Sequence, residues 1–232
     1  MHLLEPLTDL LAPYKDVVGA ACGLLTILQF FSGSLVCNDI RKKGSAAGFP
    51  LIPLLGLVVL CGISIPFGFQ IRDDMTIKVN MIGFALGTIY CLIYYYYTPN
   101  EHKTKVWGQF GLGGAFTTAI IAYSQLEDPK VVEFRFGMIV TVLLLTMIAS
   151  PLFDLPEIMR KKSTAGMPFP IIFSGTLCGL SWLAYGVCLN NDFMIIQNVV
   201  AVALSFIQLS LFVIYPSTPP AKETKKSAKK TN

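Results

Sequence analysis

Two asparagines lie in stretches that are otherwise typical of membrane helices. Asn80 lies in IKVNMIGFALG and Asn198 lies in IIQNVVAVALS. An amide in hydrocarbon is costly unless it forms hydrogen bonds, so each should face a neighbouring helix or a wet cavity. Small residues follow on the same helical face and let another helix approach closely. They are Gly83 and Gly87 after Asn80, and Ala201 and Ser205 after Asn198.

Trp182 and Ser64 are expected at the same depth as the two asparagines. Each lies about 15 residues, roughly 22 Å of helix, from the start of its apolar span. A ring face, two amides and a hydroxyl fit a neutral sugar, whose C–H face stacks while its hydroxyls form hydrogen bonds. Two alternatives stay open: the asparagines join helices, at about 1 kcal/mol each, or Trp182 lies in an interfacial aromatic belt.

A second layer of residues that can bend helices is expected near the opposite ends of the spans. Proline and glycine bend membrane helices where neighbouring groups replace the lost hydrogen bonds, so this layer predicts hinges for a gate. Its members are Gly33, Pro50, Pro53, Pro151, Pro168 and Pro170. The alternative is that some of these prolines only occupy the first turn of a helix, where the missing N–H costs nothing.

The elements that carry these residues are predicted to be membrane-spanning helices. The chain has 232 residues, of which 53% are hydrophobic and only 14% are charged, outside the balance of a soluble domain. A hydrocarbon core about 30 Å thick needs roughly 20 apolar residues. Seven spans satisfy this: 17–37, 49–69, 77–97, 106–123, 134–155, 167–189 and 193–215.

The chain repeats itself at a gapless offset of 118 residues. Matching pairs are Lys43 with Lys161, Ser45 with Ser163, Pro50 with Pro168, Asp74 with Asp192, and Asn80 with Asn198. The predicted fold is an all-α membrane protein with seven transmembrane helices arranged 3+1+3, as two parallel three-helix repeats joined by a linker helix. The predicted divisions are an outer N-terminus (1–16), first repeat (17–97), linker (98–133), second repeat (134–215) and disordered basic tail (216–232).

The charges predict the orientation and exclude several functions. Thirteen of the eighteen Lys and Arg residues fall on one side of the spans, which places the N-terminus outside or in a lumen and the C-terminus in the cytosol. No span carries a charged residue or histidine at its middle, as ion-coupled carriers usually do. Nucleic-acid binding has no folded domain to support it. The six cysteines lack metal-ligand spacing and are interpreted as buried thiols, so we expect no metal or cofactor. Passive transport by the helices involves no chemical step, so we expect no enzyme activity.

Several quoted segments together resemble the SWEET family of sugar transporters over about residues 17–215. They are FFSGSLVCNDIRKKGSAAGFPLIP, IASPLFDLPEIMRKKSTAGMPFP and LSWLAYG, with the paired asparagines. The resemblance implies bidirectional, energy-independent uniport of a mono- or disaccharide by alternating access, and a homo-oligomer. The sugar pocket it implies is Asn80, Asn198, Trp182 and Ser64.

The resemblance also implies a gate of four residues. Pro53, Pro151 and Pro168 match three members of the proline tetrad of the family, and Gly33 stands where many members carry the fourth. In the second span the family spacing favours Pro53, whereas the internal repeat favours Pro50.

Two other functions and two locations remain in view. A seven-helix signalling receptor fits the helix number, but the repeat, the short loops and the absence of D-R-Y and N-P-x-x-Y argue against it. The second alternative is a related carrier or trafficking receptor of endomembranes. The Pro-Gln dipeptide of the PQ-loop carriers is absent from this sequence, which argues against it. The tail AKETKKSAKKTN suits anionic cytosolic lipid. Its Lys229 and Lys230 resemble a retrieval signal, which predicts a Golgi or ER pool besides the plasma membrane.

Overall fold

The computed structural model describes residues 5–126, 128–149, 155–164, 167 and 169–215, and in these residues every regular element is helical. The helices are α1 (Glu5–Leu11), a 3-10 turn (Ala12–Tyr14), α2 (Lys15–Phe30), α3 (Ser32–Lys43), α4 (Ile52–Gln70), α5 (Asp74–Tyr96), α6 (Asn100–Ser124), α7 (Pro129–Ala149), α8 (Leu155–Lys161), α9 (Phe169–Cys188) and α10 (Asp192–Ile214). The predicted all-α class is confirmed.

By length and composition, four segments are long and apolar enough to cross a membrane: Thr8–Lys43, Ile52–Gln70, Asp74–Tyr96 and Asp192–Ile214. Two shorter apolar helices, Phe134–Ala149 and Ile172–Cys188, lie in the predicted fifth and sixth spans. Helix α6, in the predicted fourth span, falls below this measure because it begins with charged residues and contains four glycines. The linker is therefore the least apolar of the seven crossings.

The first span differs from the prediction of a single helix over 17–37. Its 36 apolar-rich residues would measure about 54 Å as a straight helix, far more than the roughly 30 Å hydrocarbon core. The helix is interrupted at Phe31, between α2 and α3. In the second repeat α7 is described as far as Ala149, the repeat equivalent of Phe31. The first span therefore consists of two helices, α2 and α3.

The 118-residue repeat extends to the backbone of the turns. Left-handed residues follow α3 at Gly44 (φ 69°) and α8 at Lys162 (φ 48°), and these positions are repeat equivalents. The same is true of Arg72 (φ 52°) and Asn190 (φ 51°), which precede α5 and α10. Residues in the left-handed conformation commonly end helices, but this conformation is energetically unfavourable for residues other than glycine. The turns therefore have the same shape in both halves.

Each repeat places its third helix between the other two. Helix α5 packs against α2 and α4, and helix α10 packs in the same way against α7 and α9. The two halves meet where α2 contacts α9 and where α4 contacts α7, and these contacts are equivalent under the offset. Ser174 of α9 donates to Gln29 of α2 at 2.5 Å. At the equivalent place between α4 and α7, Gly56 packs against the side chain of Met147. The interface between the halves is pseudo-twofold.

Gly33 lies beside the interruption at Phe31 and packs against Tyr90 of α5. A Cβ atom on Gly33 would lie 2.5 Å from Cε2 of Tyr90. The Tyr90 hydroxyl donates to the Phe30 carbonyl oxygen at 3.3 Å, and at the equivalent place in the second repeat Gln208 donates to the Ile148 carbonyl oxygen at 3.3 Å. The Tyr90 ring therefore fills the space that a side chain at position 33 would need.

We expect Gly33→Ala to destabilise the protein. Its new methyl group would force Tyr90 to move, and overpacking of this kind costs about 1–3 kcal/mol. Gly111→Ala is the matched control, because that helical glycine has no atom within 4 Å of a Cβ position. Thermal unfolding in detergent should show a lower midpoint for Gly33→Ala than for Gly111→Ala, and Tyr90→Ala should remove the difference. Equal midpoints for the two glycine variants would contradict the contact.

Candidate functional site

Asn80 and Asn198 form the same hydrogen bond inside their own helices. The Asn80 amide nitrogen donates to the Thr76 carbonyl oxygen at 2.8 Å, and the Asn198 amide nitrogen donates to the Met194 carbonyl oxygen at 2.7 Å. In the described residues neither amide bonds to another helix, so the structure does not use these residues to join helices. One N–H and the amide oxygen of each side chain have no protein partner there.

The small residues beside Asn80 serve helix packing. A Cβ atom on Gly83 would lie 2.5 Å from the Phe30 ring of α2 and 2.7 Å from the Cys61 sulfur of α4. One on Gly87 would lie 2.9 Å from Val58. The predicted close approach is therefore present, with side chains of α2 and α4 in the glycine hollows.

Helix caps hold both asparagines in register. The Asp73 carboxylate accepts from the Thr76 backbone N–H at 2.8 Å, and the Asn191 side chain accepts from the Met194 backbone N–H at 3.0 Å. Such caps satisfy N–H groups that the first turn of a helix leaves free. The two cap residues are repeat equivalents. Each asparagine therefore lies about two turns from a capped N-terminus.

Trp182 joins the two halves of the molecule. Its indole N–H donates to the Thr26 hydroxyl at 2.8 Å, and Thr26 donates to the Cys22 carbonyl oxygen at 2.8 Å. The ring meets Tyr185 edge to face, with the centroids 5.9 Å apart. Trp182 thus contacts residues inside the helix bundle, which a tryptophan of an interfacial aromatic belt would not do. Trp107, by contrast, is 60% exposed, as expected of such a belt.

Tyr185 and Asp73 form a further bond between the halves, which the sequence did not indicate. The Tyr185 hydroxyl donates to the Asp73 carboxylate at 2.5 Å, and both residues are only 2% exposed. Gly19 of α2 packs on the Tyr185 ring, where a Cβ atom would lie 2.8 Å away. The only sequence signals were a possible helix cap at Asp73 and a tyrosine within LSWLAYG. The bond closes the bundle one turn beyond Trp182.

A polar cavity of about 480 Å³ lies against this bond. Charged residues of both signs line it, together with Asp73 and Tyr185: Lys15, Asp16, Arg72, Asp74 and Lys78. Asp74 and Lys78 are close enough for an ion pair at 3.9 Å, and both are strongly exposed. The cavity is therefore a polar mouth that ends at the Tyr185–Asp73 bond.

A chain of contacts connects two of the four predicted site residues. Asn80 bonds to Thr76, Thr76 bonds to Asp73, and Asp73 bonds to Tyr185, whose ring meets Trp182. Asn198 approaches the same place through Met194, which packs in one buried cluster with Tyr185 and Cys22. Ser64 is 7% exposed, and its hydroxyl has no hydrogen-bond partner within the described part of the chain. No described contact links Ser64 to the other three.

The structure describes two of the four predicted gate residues, Gly33 and Pro53. Gly33 is the second residue of α3, and Pro53 lies in the first turn of α4, preceded by Pro50 outside the helix. Pro53 therefore begins its helix and does not bend it. The one proline inside α4 is Pro66. Pro151 and Pro168 lie outside the described residues, as do Lys229 and Lys230.

Comparisons with known proteins give one consistent result. A family model described as "Sugar efflux transporter for intercellular exchange" matches residues 16–102 and again residues 134–220, two stretches related by the repeat offset. A Drosophila pseudoobscura protein named sugar transporter SWEET1 is 29% identical, over 87% of this chain and 89% of that protein. Arabidopsis thaliana bidirectional sugar transporter SWEET1 is 30% identical, over 86% and 82%, and the human sugar transporter SWEET1 is 26% identical, over 87% and 91%.

A solved structure agrees with these relatives. The 3.7 Å resolution structure of a eukaryotic SWEET transporter superimposes with a TM-score of 0.77 at 25% identity. The alignment covers 88% of this chain and 100% of that one. The 3+1+3 arrangement predicted from the sequence is the fold of that structure.

Proposed function

The chain belongs to the SWEET family of sugar transporters, which are not enzymes, and from this we propose that it is a bidirectional, energy-independent uniporter for a mono- or disaccharide. The absence of charged residues from the middle of every span supports passive transport, because ion-coupled carriers usually need such a group. The observation that carries the mechanism is the Tyr185–Asp73 bond, a buried link between two halves that must separate for alternating access.

The proposed sugar pocket comprises Asn80, Asn198, Trp182 and Ser64. The two amides each keep one N–H and one oxygen for a ligand, and the buried Ser64 hydroxyl lacks a described partner. Trp182 is held by Thr26 and by the edge of Tyr185. A fixed ring between groups that donate and accept is the arrangement that a sugar with one apolar face requires.

The proposed cycle opens the pocket to one side at a time. With the Tyr185–Asp73 bond intact, the polar cavity is separated from Trp182, so this arrangement is closed on the outer side. Breaking the bond would join the cavity to the pocket. At the opposite end Gly33, beside the interruption at Phe31, and Pro53, in the first turn of α4, would belong to the second gate. The family resemblance implies Pro151 and Pro168 as its other members. The two ends would then alternate as the repeats rock about the pocket.

Radiolabelled glucose tests this function. Cells that express the chain should take up glucose and release preloaded glucose at rates set only by its gradient, and a proton ionophore should leave both rates unchanged. The purified protein in vesicles should show exchange of labelled for unlabelled glucose across the membrane. Transport in one direction only, or transport that stops with the ionophore, would overturn the proposed uniport.

We also propose an outer or lumenal N-terminus, a cytosolic C-terminus and assembly as a homo-oligomer at the plasma membrane, with a Golgi or ER pool retained by the tail. Thirteen of eighteen basic residues on one side support the orientation.

Replacing Lys229 and Lys230 with serine should move the internal pool to the cell surface, as measured by surface biotinylation. Lys225 and Lys226 form a matched lysine pair in the same tail, and their replacement should leave the distribution unchanged. The same distribution in both variants would contradict retrieval.

A further inference from the structure

A second cavity lies on the outside of the first repeat, in a groove between α4, α5 and α6, and has a volume of about 620 Å³. Glycines bring α4 and α6 together at its floor. A Cβ atom on Gly62 would lie 3.1 Å from Thr117, and one on Gly113 would lie 3.2 Å from Leu55. Phe84 of α5 forms part of the wall. The groove shares no lining residue with the charged mouth at Tyr185.

The groove offers almost no polar groups. Its lining includes two threonines whose hydroxyls already donate to their own helices, Thr88 to the Phe84 carbonyl oxygen at 2.7 Å and Thr117 to the Gly113 carbonyl oxygen at 2.9 Å. The remaining lining is aliphatic, aromatic or glycine, apart from Thr118 and the Cys91 thiol. A sugar would find few partners there. An acyl chain would need none.

A cation lies beside one end of the groove, next to the residues that line it. Trp107 and Phe110 line this end and form an aromatic cluster with Tyr95, at centroid distances of 5.5 Å and 6.3 Å from the Tyr95 ring. The Lys103 ammonium lies 5.6 Å from the centre of the same Tyr95 ring. In the described residues Lys103 forms no ion pair, whereas Glu101, the acid nearest to it along the chain, contacts His102 at 3.5 Å.

The helical spacing places this cation on the groove face of α6. Residues 103, 107, 110, 114 and 117 recur at intervals of three and four, so they lie on one side of the helix. Lys105 is two residues further along and points away from that side. Tryptophan and lysine at one level are typical of the boundary between hydrocarbon and headgroups. The groove thus runs from a headgroup level into the membrane.

We propose that this groove binds an anionic phospholipid, with an acyl chain between α5 and α6 and the phosphate beside Lys103. An apolar groove with a cation at one end is complementary to an amphiphile with a negative head. In the proposed orientation this end faces the cytosolic leaflet, where anionic lipids are concentrated. The lipid would add to the packing that Tyr95 of α5 gives Trp107 and Phe110 of α6. The site does not depend on the proposed sugar pocket.

Trp107 is a reporter inside the site. The chain has two tryptophans, so the Trp182→Phe variant carries Trp107 alone. This variant, in nanodiscs of unlabelled phosphatidylcholine, is titrated with phosphatidylglycerol or phosphatidylcholine that carries bromine on the acyl chain and quenches tryptophan on contact. We expect brominated phosphatidylglycerol to quench Trp107 at a severalfold lower mole fraction than brominated phosphatidylcholine does.

Two pairs of variants in that background test the two parts of the site. Lys103→Ala should weaken the phosphatidylglycerol preference about fivefold, the factor equivalent to about 1 kcal/mol per lysine, and Lys105→Ala should not. Gly114→Phe should fill the groove and reduce quenching by both lipids, whereas Gly111→Phe, at a glycine with equally open surroundings, should not. Equal quenching by both lipids, or equal effects of Lys103→Ala and Lys105→Ala, would overturn the proposal. So would protection of Trp107 from both lipids, which indicates a second copy on this face.

Discussion

Asn198→Ala and Asn80→Ala should each reduce glucose transport by roughly ten- to a hundredfold while the protein still reaches the membrane. Each substitution removes one donor and one acceptor from the proposed sugar pocket, and a ligand hydroxyl left unpaired in a buried site costs about 1–3 kcal/mol. Loss of the hydrogen bond inside the helix should change the stability of the folded protein little, because the Thr76 and Met194 carbonyls belong to regular helical turns.

The measurement is glucose uptake per molecule at the cell surface, with thermal unfolding as the check on folding. Asn100→Ala is the matched control, since Asn100 is an exposed asparagine at the start of α6. We expect its transport to equal that of the unaltered chain. Normal transport by both Asn80→Ala and Asn198→Ala would refute the pocket, even if the chain proves to carry sugar by another route.

Tyr185→Phe should shift the protein toward its outward-open form. A hydrogen bond to a charged group contributes about 1.5–3 kcal/mol, so its loss should raise the ratio of open to closed molecules by about ten- to a hundredfold. The aromatic ring stays in place against Gly19 and Trp182. Asp73 keeps the Thr76 backbone N–H as a partner, so the cap of α5 also survives.

Cys22 reports this opening. Its side chain is fully buried in the cluster with Tyr185, directly inside the closed mouth. A membrane-impermeant maleimide added from outside should modify Cys22 in Tyr185→Phe at least tenfold faster than in the unaltered chain, and Cys22→Ser should abolish that modification. Tyr94→Phe is the control, because it also removes a hydroxyl that donates at 2.9 Å, but to Phe49 within the same repeat. Equal rates in the two tyrosine variants would show that the bond does not hold the outer side closed.

The repeat explains how much of the fold was predictable. Hydrophobic spans of the right length and a gapless offset determine helix number, direction and pairing, and the turns at Arg72 and Asn190 repeat that regularity in the backbone. The interruption at Phe31 was only partly predictable, because Gly33, two residues later, indicates a bend in the first span but does not determine where the helix breaks. Tyr90, almost 60 positions away, occupies the space beside Gly33 and donates to the Phe30 carbonyl oxygen, and no local pattern in the sequence indicates this contact.

The site was less predictable than the fold, for a related reason. The offset gives the depth of Asn80, Asn198, Ser64 and Trp182, but depth does not determine which way a side chain turns. The Trp182 bond to Thr26 joins helices from different halves, and nothing local in either segment indicates it. The two halves also carry different residues at some equivalent positions: Tyr185 corresponds to Phe67, and Asp73 corresponds to Asn191.

In the proposed cycle, that last difference should affect the direction in which the mouth at Tyr185 opens. On one side the halves are joined by a phenol and a carboxylate, and on the equivalent side Phe67 has no hydroxyl to offer Asn191. Phe67 is instead buried in an apolar cluster with Val132 and Phe136 of α7, so that side should stay in contact when the Tyr185–Asp73 bond breaks. We expect the halves to rotate about an off-centre axis near Phe67, so that a wedge-shaped gap forms first between Tyr185 and Asp73. Sugar would then arrive through the charged cavity beside Lys15 and Arg72, and would meet Trp182 before it meets Ser64.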